Sequence, residues 1–362
     1  MPIDRLLSAS TFARGALLDH AVIPALARLG RAYDRKAHPL PDPPLFRPLG
    51  RGRRYGVVHY NLVVPDLPDP HRFLACMVIM GKAGARVFDD DRAIVHSPRD
   101  TATVAVGTAA TAPARFDTYS IASDCELRDD GSLLRFGDAL ELRNTFPQLR
   151  LRAKVEDLMI ELDVRCTDDV TWFARGLLYD HVGILGRYTG TIRRGDTSTA
   201  VTGPCSFEHA QAVSAVAVLD RPIPSALKLP VNLFAYHVLA LDDDTLLQLT
   251  HVQAAGRPVL RTAFVKRFGS EQERHFDGVR CELDAPRPIP LVAPDGRRTS
   301  LPAAFRWSFG DPGVDGLDVE VTPDTPLIYG LGTGWIGGAA FRGRFRGADI
   351  AGRAYCEHAD AR

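Results

Sequence analysis

From Tyr55 onward, apolar and polar residues alternate over short runs separated by Gly, Pro and Asp, the period-two pattern of strands with one buried face. The runs 57–64, 72–80, 101–107, 150–155 and 158–164 precede a dense stretch, 172–210, that reads as two or three strands closed by a turn. The pattern restarts at 233–241, 245–252 and 259–267. Helical spacing is confined to residues 4–30, where Leu6, Leu7, Phe12, Leu17, Leu18, Val22, Ile23, Leu26 and Leu29 recur at three- and four-residue intervals. Gly30 is a stop for that helix and Pro24 a kink. Pro39 to Gly52 is an extended linker, Asp220 to Pro230 a connector and Ala285 to Pro302 a long loop, each rich in proline.

The dense stretch returns in altered form. Tyr188, Gly190 and Ile192 reappear as Phe341, Gly343 and Phe345, each run entering a turn and leaving it through a strand that ends Gly-x-x-x-x-Glu-His-Ala, at 203–210 and 352–359. Upstream, Leu162-Asp163-Val164 matches Leu317-Asp318-Val319, and Cys125-Glu126-Leu127 matches Cys281-Glu282-Leu283. The offset is roughly 150 to 155 residues, so one long unit is used twice. Further out, His59-Tyr60-Asn61-Leu62 pairs with Ala235-Tyr236-His237-Val238. Such a unit is long enough for an antiparallel barrel of about eight to ten strands, whose closure removes exposed edges. The expected fold is all-β: residues 1–54 a helix and linker, 55–215 a first barrel, 216–362 a second.

Charge changes this picture little. Lysine plus arginine equals aspartate plus glutamate, which gives a nucleic-acid partner no overall attraction. Residues 1–54 nonetheless hold ten cations against four acids, so helix 4–30 either packs on a barrel or makes a peripheral membrane contact. The six cysteines have no zinc-like spacing and read as reduced core residues. With no apolar run long enough to span a bilayer and no secretory leader, the expectation is a soluble, cytoplasmic protein.

Candidate chemistry is sparse. Gly332-Thr333-Gly334-Trp335-Ile336-Gly337 matches the dinucleotide fingerprint but opens no helix, so close strand packing is the better account. Asp89-Asp90-Asp91 and Asp242-Asp243-Asp244 lack calcium-loop order and read as turns, and no metal site is expected. Tyr179-Asp180-His181 is the densest ionisable cluster of the repeat, and its counterpart, placed near Tyr329-Gly330-Leu331, has neither acid nor imidazole. A task confined to the first half, or a solvent-facing corner, would each explain that asymmetry. Alternation puts Tyr179 and His181 on one strand face and Asp180 on the other. It also puts Cys205, Phe207 and His209 opposite Ser206 and Glu208, with one member of each Glu-His pair pointing inward as a buried structural pair or a ligand contact.

With the Y-D-H-x-G, R-Y-x-G and G-x-x-x-[FY]-x-E-H-A order in hand, the chain resembles the AttH-like and carotenoid hydratase (hydroxyneurosporene synthase) superfamily from about Tyr55 to the C-terminus. The resemblance implies two tandem lipocalin-like barrels and, by analogy with carotenoid hydratases, tocopherol cyclases and fungal Diels–Alder cyclases, an oily substrate in the first barrel or at the seam, with no cofactor. Asp180-His181 is similar to the aspartate-histidine of the hydratase D-H-x-W-G motif, with Val182-Gly183 where that branch has tryptophan. The expectation is an isomerase, cyclase or hydratase acting on a terpenoid, polyketide or lipid, with Asp180 as proton donor and His181 or His209 as base or orienter. Tyr60, Trp172, Tyr179, Tyr188, Phe207, Tyr329 and Trp335 are the candidate substrate contacts. The alternatives are a non-catalytic carrier or sensor of a hydrophobic ligand, and an interaction scaffold if both interiors are filled.

Overall fold

A computed structural model describes residues 46–50, 52, 54–111, 115–270, 273–275 and 278–362, together with Pro24 and Leu40. The expected helix over 4–30 and most of the proline-rich linker lie outside the described residues.

The first sheet is built in chain order from β1 (Val57–Leu67), β2 (Arg72–Gly81), β3 (Thr101–Gly107), β4 (Arg115–Ser120), β5 (Cys125–Leu127), β6 (Leu133–Phe136), β7 (Leu140–Thr145), β8 (Gln148–Val155), β9 (Leu158–Arg175), β10 (Tyr179–Arg194) and β11 (Thr197–Ala212). Its spatial order runs β4-β3-β2-β1-β11-β10-β9-β8-β7-β6-β5, all antiparallel, so β1 and the last strand β11 meet in the middle and the edges are β4 and β5. A one-turn helix α1 (Ile121–Asp124) joins those edges, and Arg115 on β4 reaches Asp138 and the Lys154 carbonyl across the gap. The sheet curls into a nearly closed barrel.

After the short helix α2 (Val216–Leu219), the second sheet repeats the scheme with β12 (Val231–Ala240), β13 (Thr245–Ala254), β14 (Arg257–Arg267), β15 (Glu273–His275) and β16 (Arg280–Leu283). A two-stranded ribbon of β17 (Leu291–Val292) and β18 (Arg298–Thr299) occupies the expected loop, held by the Asp295-Gly296 turn. Then come β19 (Phe305–Phe309), β20 (Leu317–Pro323), β21 (Ile328–Leu331), β22 (Gly334–Phe345) and β23 (Ala348–Asp360). The first strand β12 again meets the last, β23. The protein is thus an all-β pair of tandem, nearly closed lipocalin-like barrels, with eleven and ten strands.

The repeated aromatic-x-glycine run has a steric cause. A Cβ on Gly190 would lie 2.0 Å from the Glu161 carbonyl oxygen, and one on Gly343 would lie 2.1 Å from that of Asp318, so both hairpins admit only glycine where the neighbouring strand presses in. The preceding aromatics cover a second glycine across the hairpin: Tyr188 opposes Gly203 and Phe341 opposes Gly352. In the fingerprint-like segment, Gly332 packs on the Phe88 backbone and Gly334 on Ala359, within the β21–β22 hairpin, as close strand packing requires.

Strand register corrects two pairings of the halves. Glu208 faces Asn61 and Glu357 faces Tyr236, so the structural counterpart of Tyr236 is Asn61 and not its neighbour Tyr60. Likewise His181 opposes Ala210 and Gly334 lies against Ala359, so the counterpart of Tyr179-Asp180-His181 is Gly332-Thr333-Gly334 and not 329–331.

Three apolar layers result. One fills the first barrel and includes Tyr60, Leu62, Phe136, Ile160, Trp172, Tyr188 and Phe207. Another fills the second around Phe305, Trp307, Val319 and Phe341. Between them the outer faces of β1, β2, β9 and β10 meet those of β12 to β14, β22 and β23 through Phe73, Met77, Phe173, Leu185, Tyr236, Phe264 and Tyr355. The cysteines are all free thiols, buried except for the half-buried Cys125. Among the described residues no helix is long and apolar enough to cross a membrane, and no group of three or more His, Cys, Asp or Glu side chains is placed to hold a metal ion.

Candidate functional site

The candidate residues of the first barrel divide by strand parity. Tyr60, Trp172, Tyr188, Phe207 and His209 point inward. Phe46, only 3% exposed, packs on Phe146, Phe207 and His209, and its carbonyl accepts from the Tyr60 hydroxyl at 2.6 Å, so residues 46–49 cap the barrel mouth. His209 Nε2 lies 3.2 Å from the Arg47 carbonyl, the geometry of a donated hydrogen bond. Burial pushes its imidazole down to about 4, which leaves it neutral. A cavity lined by Tyr60, Cys76, Phe136, Leu142 and Phe207 offers about 10 Å³ to the centre of a water-sized sphere. That is room for one water and not for a ligand.

Asp180 sits on the inward parity at the rim. Its carboxylate accepts from the Gly176 amide at 2.9 Å and from Gln211 at 3.2 Å, which fastens the β9–β10 hairpin to β11. Tyr179 and His181 face the other way, toward the seam. Tyr329 and Trp335 belong elsewhere, packed on each other at 5.3 Å, with the Tyr329 hydroxyl donating to Asp90 at 2.7 Å. The ten candidates therefore do not converge on one place. Asp180 and His181 are on opposite faces of β10, and the irregularity in β9–β10 pairing beside His181 does not bring them together.

The seam holds a polar cluster instead. Asn61, Ser206 and Glu208 from the first barrel meet Tyr236, Gln248, Tyr355 and Glu357 from the second, each 4% exposed or less. The pairing is reciprocal. Asn61 Nδ2 donates to Glu357 at 2.9 Å, while the Tyr236 hydroxyl donates to Glu208. Each glutamate also accepts from the residue two before it on its own strand, Ser206 at 3.4 Å and Tyr355 at 2.7 Å. Gln248 Nε2 bridges to Ser206 and Tyr236, both at 2.9 Å, and Lys266 donates to the Gly183 carbonyl at 3.1 Å.

These surroundings set the two carboxyls apart. Burial, reinforced by the negative charge of Glu208, lifts Glu357 to about 8 against the donors Tyr355 and Asn61, so it carries a proton at neutral pH. Burial also pushes Glu208 upward, but the facing His181, the Tyr236 hydroxyl and the nearby His59 outweigh it and hold Glu208 below the ordinary range. His59 is itself lowered to about 4, first by burial and then by His181, and stays neutral.

His181 joins this cluster to the surface. Its side chain is 18% exposed, Nδ1 lies 2.9 Å from the Tyr179 hydroxyl and Nε2 lies 3.7 Å from Glu208. Phe173 packs on the ring at 4.5 Å. Burial, with the charges of Glu208 and Asp180, raises the Tyr179 phenol well above its usual range, so it is a neutral donor. The arrangement can give or take a proton at Nδ1 while the Glu208 carboxylate stabilises the charged ring. Sequence reasoning found Tyr179 and His181, and named Glu208 only within a Glu-His pair. Glu357 was likewise named only within its pair, and Asn61 and Gln248 were missed as partners; the repeated Glu-His-Ala was the available signal.

A search of curated proteins finds no match to the chain. Among solved structures, it is similar to a candidate AttH from Nitrosomonas europaea, at 14% identity over 84% of this chain and 92% of the other, with a TM-score of 0.57. It is also similar to kievitone hydratase from Nectria haematococca, at 10% identity over 85% and 89% of the two chains, with a TM-score of 0.54. At such identity the likeness establishes the shared tandem-barrel fold, the fold that the resemblance to the AttH-like superfamily implied. A family model matches residues 77–362, and the chain is accordingly a member of the family of unknown function DUF6670.

Proposed function

We propose that the protein is a cofactor-independent acid–base catalyst that hydrates, isomerises or cyclises an apolar small molecule at the outer end of the barrel seam. The observation that carries this reading is His181, 18% exposed and held between the Tyr179 hydroxyl and the buried Glu208 carboxylate. His181 is the proton-exchanging group. Glu208 is a positioning residue that stabilises the imidazolium, and Tyr179 shields Nδ1 until a substrate displaces it. Two carboxyls pushed to opposite protonation states in one buried cluster are a recurrent mark of acid–base chemistry. The fold shared with kievitone hydratase agrees with hydration as one such reaction. Asp180, engaged in fastening its hairpin, has no part in this scheme.

The test is solvent deuterium incorporation, which registers hydration and isomerisation alike, across a panel of isoprenoid, phenolic and polyketide alkenes. His181→Ala and Glu208→Gln are expected to abolish incorporation, and Asp180→Asn to retain it with an unchanged melting temperature. Loss in Asp180→Asn with retention in His181→Ala would overturn the assignment. A second reading, an interaction scaffold with inert interiors, is favoured by the filled first barrel. It predicts no incorporation with any member of the panel.

A further inference from the structure

Eleven large hydrophobic residues are exposed among the described residues, and seven of them fall on one rim. Leu177, 82% exposed, and Leu178 form the tip of the β9–β10 hairpin, Val213 follows β11, Val218 and Leu219 lie on α2, and Leu227 and Leu229 lie just beyond. Hydrogen bonds and register tie them together. Val213 N–H donates to the Leu178 carbonyl at 2.8 Å, and the ends of β9, β10, β11 and β1 share this edge through the pairs Asp180–Arg175, Tyr179–Ala212 and Val57–Ala212. A Cβ on Gly56 would touch Ser214 and the Ala217 amide, which sets α2 against the start of β1, and Leu229 N–H donates to Gly84, itself beside Ser214.

The same rim is cationic. Arg47, Arg54 and Arg221 are exposed, and Arg175 lies 4.7 Å over the Trp172 ring with its guanidinium at the edge. The nearby acids are engaged: Asp180 with Gly176 and Gln211, Asp220 with the Arg99 amide, and Asp89 and Asp91 with Lys228 between Leu227 and Leu229. Exposed leucines and valines beside arginines, with the nearby acids hydrogen-bonded or ion-paired, match a surface that is oily within and negatively charged on top.

We propose that this rim is a docking surface for an anionic lipid membrane, with the 177–178 hairpin tip and α2 entering the headgroup boundary. Docking in this pose brings the partly exposed His181, on the same hairpin, toward the lipid. The proposal stands without the acid–base reading, because vesicle binding is measured with no substrate present.

The experiment is co-sedimentation of the full chain with phosphatidylcholine vesicles carrying one quarter phosphatidylglycerol, beside vesicles of phosphatidylcholine alone. Wild type is expected to bind the anionic vesicles and to release at high salt. Leu177→Ser with Leu178→Ser should lower the partition coefficient about tenfold or more, given the apolar area withdrawn. Arg54→Glu with Arg221→Glu should cost about fivefold for each arginine lost and erase the preference for anionic lipid. A control pair on remote exposed residues, Ile289→Ser with Val314→Ser, should bind as wild type does. Thermal melting of every variant should match wild type, since all the altered side chains are exposed. Wild type that ignores the vesicles would overturn the proposal, and so would rim variants that bind as tightly as wild type, a result that places any lipid contact in the N-terminal segment.

Discussion

Glu357→Gln separates the charge of the seam cluster from its shape. Glutamine keeps the volume of the protonated carboxyl and an oxygen to accept from Tyr355 and Asn61, but it cannot ionise. In the folded protein the Glu357 carboxyl titrates at about 8, whereas in an unfolded chain it titrates near ~4.3. A carboxyl raised in this way binds its proton more tightly folded than unfolded. Its contribution is therefore complete below about pH 4.3 and is lost as pH climbs toward 8, at about 1.4 kcal/mol per pH unit. The buried histidines run the opposite way, since a lowered imidazole loses stability as pH falls from 6.5 toward 4. Their slope is common to both proteins and cancels in the comparison. Urea unfolding of the two proteins at pH 5 and pH 7.5 should show the glutamine variant gaining about 3 kcal/mol on wild type over that interval. Glu357→Ala, which strands the Tyr355 and Asn61 donors, should be less stable than glutamine at both values. Parallel pH profiles for wild type and Glu357→Gln would refute the claim that Glu357 is buried with its proton.

Three further outcomes follow from the packing. Gly190→Ala and Gly343→Ala should each lower stability by about 1–3 kcal/mol in chemical denaturation, because both would drive a methyl into a backbone carbonyl. His237→Leu should stabilise by about 1 kcal/mol or more and flatten the acid limb of the stability profile: the ring is fully buried with both nitrogens unpartnered, and burial lowers it to about 3. Phe46→Ala should cost about 3–5 kcal/mol and admit an apolar dye to the first barrel, read by denaturation and dye fluorescence, since this ring caps the mouth.

The tandem architecture was legible because its signals are local. Period-two alternation marks strands wherever one face is buried, and the glycines at 190 and 343 recur because both hairpins meet the same steric demand. The pairing of Tyr60 with Tyr236 slipped by one residue because two tyrosines in apolar strands align in either frame, and only the opposing glutamates fix the register. The site was harder to see. Outward positions of a barrel strand are normally wet, so nothing in the strand pattern marks Asn61 or Ser206 as buried, and only the second barrel on that face buries them with Glu208. The alternation that correctly set Asp180 and His181 apart could not say which side was interior and which was seam. For the sequence 4–30, lying outside the described residues, neither the packed nor the membrane-bound expectation meets a structural observation.

The crossed clasp across the seam bears on how the two halves depend on each other. Each glutamate is completed by a donor from the opposite half, Glu357 by Asn61 and Glu208 by Tyr236, and the two donors occupy equivalent positions. That is the exchange a dyad axis produces when identical subunits face each other. Two identical barrels facing each other across such an axis would form this contact twice; here one donor is tyrosine and the other asparagine. Severed at 220–230, each half would expose the outer face that now buries its glutamate and would leave that acid without the donor that completes it.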